Sequence, residues 1–167
     1  MAWTTPRTWV AAEVPTASIF NTHVRDNLNA LAPAPTSFTP TLGVWTLGNG
    51  TATGYWTQLP DMVFFQLKIT FGSTSSFTAG EPTITLPSTP SSTYNSSDTV
   101  RVTMRASLTD NSGSGEIAAV PYNLSTNTIK LLYYNTATPV IGAVLSSTTP
   151  MTWATSDSIR VGGFYWV

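Results

Sequence analysis

The sequence predicts a mainly β protein: an antiparallel β-sandwich head, jelly-roll-like, preceded by an extended N-terminal arm and one short helix. Three observations predict it. From Leu42 onward the apolar residues recur with a period of two. Gly, Pro, Asn and Asp break those runs at short intervals. The composition also suits strands, with 30 Thr and 18 Ser among 167 residues and only 9% charged. An apolar content of 41%, with six Trp, six Tyr and seven Phe, disfavours disorder and is enough for one sizeable core.

Residues 1–15 read as an extended arm, punctuated by Pro6 and Pro15 and carrying Trp3 and Trp9. Exposed indoles on a loose arm are a liability, so Trp3, Arg7 and Trp9 are expected to dock on the same chain or a neighbour. Residues 16–31 read as the helix. Thr16 is a suitable N-cap after Pro15, and Pro33 cannot continue the ladder. Ala17, Phe20, Val24, Asn27 and Leu31 follow at spacings of three and four, with Ile19 and Leu28 widening the stripe. Two heptads are too few for a free-standing helix. Self-association along Ala17, Phe20, Val24, Asn27, Leu28 and Leu31 is expected, with Asn27 in the seam; packing of the helix on the β-head is the other arrangement open to it. Residues 32–41 are a Pro-rich stretch, read as a stiff spacer. The chain thus divides into an anchoring segment, 1–41, and a head, 42–167.

Two strands are plain. In 62–71, Val63, Phe65, Leu67, Ile69 and Phe71 share one face, and in 100–109, Val100, Val102, Met104, Ala106 and Leu108 do. Further strands are expected at 44–47, 53–59, 83–86, 116–122, 128–135, 140–146 and 158–166. Turns are expected at Gly48–Gly50, Leu59–Asp61, Asp110–Gly113 and Ser125–Asn127. The segments 129–134 and 164–167 are apolar on both faces, as in a central or intersubunit strand.

Seven Lys or Arg stand against eight Asp or Glu, a net charge of −1, so no basic surplus exists for nucleic acid and no cationic helix for a membrane surface. The chain has no cysteine, which excludes disulfides, zinc–thiolate sites and thiol nucleophiles. No apolar run approaches the roughly 20 residues of a spanning helix. The first residues lack a signal-peptide pattern, so synthesis in the cytoplasm is expected.

Acid–base chemistry has one histidine and eight carboxylates to draw on. Glu13, Asp26, Asp61, Glu81, Asp98, Asp110, Glu116 and Asp157 mostly sit beside turn formers, so turn or solvated roles are expected rather than a glycosidase pair. His23 has Asn27 at i+4, a poor metal ligand, and reads as a surface or seam histidine. Residues 110–116 alternate oxygen ligands but lack the glutamate of a calcium loop, and read as a hairpin tip. Gly48–Gly54 lacks the lysine of a phosphate loop. No catalytic residue, cofactor or metal is expected. Trp45, Trp56, Trp153, Trp166, Tyr55, Tyr94, Tyr133 and Tyr134 are expected to fill the core or an interface. Tyr55 and Trp56 are adjacent in a strand, so one of them faces out and is a candidate ligand platform.

The run Thr5-Pro6-Arg7-Thr8-Trp9 through Ala17, followed by Asn21-Thr22-His23-Val24-Arg25-Asp26-Asn27-Leu28-Asn29-Ala30-Leu31, resembles the N-terminal leader of structural proteins in tailed phages of actinobacteria, with Phe20 where Leu is usual. The stretches 48–56, 63–65 and 83–87 are more loosely similar to the heads of phage fibre, minor tail and decoration proteins. The resemblance implies a non-enzymatic, surface-displayed virion homotrimer, attached to capsid or tail proteins through its arm and helix. Head decoration is favoured over the tail, because the chain is short and lacks a fibre shaft. The alternative is a minor tail or fibre protein whose head binds a host-surface glycan.

Overall fold

The computed structural model describes residues 3–93, 103–113, 115–135 and 140–167. The expected strand start at Val100–Val102, and Tyr94 and Asp98, lie outside them. Among the described residues ten strands form one antiparallel sheet: β1 Thr36–Phe38, β2 Leu42–Gly43, β3 Thr51–Leu59, β4 Met62–Thr70, β5 Thr83–Thr85, β6 Met104–Asp110, β7 Gly115–Ser125, β8 Thr128–Asn135, β9 Val140–Val144 and β10 Ser158–Trp166. Their order is β1-β3-β4-β10-β6-β7-β8-β5-β2, with β9 also on β8. The sheet curls over its own apolar face, so the fold is sandwich-like and mainly β, as the sequence predicts.

Alternation does the sorting. Val63, Phe65, Leu67 and Ile69 of β4 are buried, while Gln66 and Lys68 between them are exposed. Ile159, Val161 and Tyr165 of β10, and Met104, Ala106 and Leu108 of β6, complete the same buried layer. β10 lies between β4 and β6, paired with both through nine and six residues in register. Residues 164–166, apolar on both faces, pair with β4 alone, with Tyr165 buried and Trp166 partly exposed. β8 is likewise internal, flanked by β7 on one side and by β5 and β9 on the other. At one end of the core Trp45, Phe71, Phe77 and Trp153 meet edge to face or stacked, with centroids 4.8–6.3 Å apart.

Two sequence expectations are corrected. The 32–41 spacer is not free of the head: Thr36, Ser37 and Phe38 pair with Trp56, Tyr55 and Gly54 on the edge of β3. The pairing works because Gly54 has no side chain, and a Cβ there would occupy the Phe38 ring. The strand expected at 44–47 is not formed. Val44 has φ 74°, which turns the chain out of the extended region after β2, and only Thr46 makes an isolated bridge, to Ser76.

Asp157 is expected to have a turn role, and has one, but it is buried rather than solvated. The amides of Asn111 and Ala154 donate to its carboxylate at 2.9 and 2.7 Å, taking the place of water. They tie the β6–β7 turn to the entry of β10. Tyr165 is fully buried; its hydroxyl donates to Ser88 O and accepts from Ser88 N, and burial raises its pKa. Asp157→Ala leaves two amides without their acceptor. Chemical denaturation is expected to show a loss of about 1–3 kcal/mol, and an unchanged midpoint would remove the latch from this account.

Candidate functional site

The helix runs from Ala17 to Ala30 without a break, but not as one α-helix. An α-helical turn, Ala17–Phe20, passes into a π-helical turn, Asn21–Arg25, and then into α-helix again, Asp26–Ala30. The Thr16 hydroxyl accepts from Ile19 N at 3.3 Å, making the expected cap. In α-helix, residues four apart overshoot one another by about 40°. The wider turn takes up part of that overshoot and straightens the rows that cross it.

Two rows result. The inner one holds Ile19, His23, Asn27 and Ala30, with Asn27 and Ala30 buried and the other two half-buried. The arm covers it at Thr4, whose N–H donates to Asn27 Oδ1 at 2.9 Å and whose carbonyl accepts from Asn27 Nδ2 at 2.8 Å. The side-chain amide thus pairs with the arm as a neighbouring strand would, and also donates to His23 O at 3.2 Å. Asn27, expected in a seam, thus bonds to the arm of its own chain. The outer row holds Phe20, Val24, Leu28 and Leu31. Phe20, Leu28 and Leu31 are 52%, 62% and 51% exposed, Ala17 is also exposed, and Val24 is half-buried.

The arm turns back at one point rather than being extended throughout. Ala12 takes φ 65° in a turn where Glu13 N donates to Val10 O. Glu13 pairs with Arg7 at 2.6 Å, and the Arg7 guanidinium lies 5.2 Å from the Trp9 ring centroid. Trp3 and Trp9 remain exposed; Trp3 borders a cleft of about 840 Å³ shared with Ala30, Pro33 and Trp56. His23 Nδ1 is enclosed and has no hydrogen-bond partner among the described residues.

The platform candidates separate. Tyr55 stands out from the sheet, whereas Trp56, opposite Phe65, packs half-buried against the core side. Trp45 and Trp153 are core residues, Tyr133 is half-buried against the core, and Tyr134 and Trp166 are partly exposed.

Several of the described carboxylates hold local structure. Glu13 and Asp26 pair with arginines of their own segments. Glu81 accepts from the Tyr122 hydroxyl and pairs with Lys130 at 2.9 Å. Asp110 receives the Gly113 amide, the Ser112 hydroxyl and the Ser112 amide, and these hold its pKa below the usual value. Among the described residues no three His, Asp or Glu converge as a metal site would require. Comparison with family models, with curated proteins and with solved structures gives no match.

Asn27→Ala removes both arm bonds, and faster amide exchange is expected across residues 3–9 with the head unaffected; equal exchange would mean the arm is held elsewhere. Because the folded pKa of Asp110 is depressed, its contribution to stability is complete above the unfolded carboxylate value of about 3.9. It is lost as pH falls below that value through the folded pKa. Acid titration is therefore expected to cost the native chain more than Asp110→Asn, with parallel curves as the contrary result.

Proposed function

We propose that this chain is a non-enzymatic structural protein of a phage virion, displayed on the particle surface as a homotrimer and attached through its N-terminal arm and helix. One observation carries the assembly part of this reading. Of the twelve large apolar residues left exposed among the described residues, seven lie within the first 31. They are Trp3, Trp9, Val10, Val14, Phe20, Leu28 and Leu31. Each Phe or Leu covered by a neighbouring copy contributes about 1.5–3 kcal/mol. The helix is too short to persist on its inner contacts alone, so copies packed along the outer row supply what one chain lacks.

The phage assignment and the number three rest on the leader resemblance at residues 5–31. Attachment to the head is favoured over the tail, since all the described strands join one curled sheet and none repeats as a shaft. A display role also suits a hydroxyl-rich surface with few ions. The alternative, a tail or fibre protein with a carbohydrate-binding head, keeps Tyr55 but loses Trp56 as an outward platform.

Light scattering of the intact chain is expected to give a trimer. Phe20→Glu and Leu28→Glu should each cost at least about 3 kcal/mol of association per uncompensated buried charge and yield monomers with an intact head. A monomeric native chain at micromolar concentration would overturn the assembly reading.

A further inference from the structure

Cations are scarce in this chain, seven in all, yet three of them share one patch. Lys68 on β4 lies directly opposite Arg160 on β10, and Arg105 on β6 lies opposite Gly162, one outward position further along β10. All three side chains are exposed on the outer face of the sheet, away from the core. Like charges set opposite one another in a sheet are destabilising, so the pairing of Lys68 with Arg160 needs a reason. Little neutralises the patch. Arg160 donates to Thr109 Oγ1 at 3.2 Å and reaches Glu116 at 3.7 Å. Among the described residues, no carboxylate lies within ion-pair distance of Lys68 or Arg105.

The same residues border a groove of about 560 Å³. Gly162 forms its floor, because the missing side chain opens the space between Gln66 and Arg105. Tyr55, 52% exposed, stands at the β3 side beside Gln66. Thr53 and Ser107 add hydroxyls at the two ends of the Lys68–Arg160 row.

We propose that this groove binds an acidic glycan, a sugar chain bearing carboxylate or sulfate groups. Lys68 and Arg105 take the anionic groups, Arg105 by its planar fork. Tyr55 lies against the apolar face of a pyranose ring. Gln66, Thr53 and Ser107 bond to ring hydroxyls, and Gly162 provides the depth. Nucleic acid is the poorer fit, since three cations on a protein of net charge −1 neutralise few phosphates. The site is built by one chain, so it does not depend on assembly or on the virion reading.

The test is calorimetric titration of the intact chain at low salt with a short oligogalacturonate, sialyllactose and a heparin-derived oligosaccharide. Methyl-esterified oligogalacturonate, lactose and a desulfated heparin oligosaccharide are the neutral or depleted counterparts, and a single-stranded DNA oligomer is the control polyanion. At least one acidic sugar is expected to bind, at least tenfold tighter than its counterpart and than DNA; which one binds separates carboxylate from sulfate. Lys68→Gln and Arg105→Gln should each weaken binding about tenfold while melting no lower than the native chain, since each removes a repelling charge. Gly162→Val should abolish binding. A Cβ at Gly162 meets nothing nearer than Phe65 O at 3.4 Å, so the backbone accepts it. If that variant does not fold, the two charge variants decide. Failure of all three sugars, equal binding of the counterparts or of DNA, or full affinity in both charge variants would overturn the proposal.

Discussion

The position of β10 is the constraint on which the rest depends. This strand closes the sheet from within, between β4 and β6, so the core is incomplete until residues 158–166 are in place. Its alternation does two things at once. Ile159, Val161 and Tyr165 complete the buried layer, while Arg160 and Gly162 complete the outer face. A slip of one residue would send every one of these side chains to the wrong side. The Asp157 latch and the Ser88–Tyr165 pair hold the strand at its start and near its end, and both rest on backbone groups rather than on other side chains. The register is therefore fixed by geometry as well as by apolar burial.

The arm and helix follow a different logic. Their apolar residues are divided by the π-turn into a row the chain covers and a row it leaves open. Asn27 makes the inner row self-sufficient at one point, by giving the Thr4 backbone both of its hydrogen bonds. The outer row has no counterpart. A segment whose inner face is satisfied and whose outer face is apolar and exposed is suited to joining copies of itself, while the head's surface is mostly hydroxyl and amide. On the reading proposed above, the first region serves association and the second display.

Much of this was legible from the residues in order. Strict alternation located β4 and the described part of β6, the turn formers located three hairpins, and Thr16 and Pro33 bracketed the helix. What was not legible depended on partners distant in the chain. The four residues between Pro35 and Pro40 are too few to show a period, and β1 depends on Gly54 lying opposite Phe38. The positive φ of Val44 carries no sequence signal in a β-branched residue. α-Helical spacing places Asn27 in a seam, and nothing local announces Thr4 as its partner 23 residues away. The outward sides of Lys68, Arg105 and Arg160 could be read from alternation. Their convergence could not, because it requires knowing that β10 enters between β4 and β6.

The central claim, that the outer row of the helix joins copies of the chain, has a direct chemical test. The protein contains no cysteine, so a single thiol reports on one position. Mild oxidation of Leu28→Cys is expected to give covalent dimers, because neighbouring helices bring that position together. Ser18→Cys, exposed on the other side of the same helix, should stay uncrosslinked. Leu28→Cys remaining monomeric, or linking no faster than Ser18→Cys, would contradict the account.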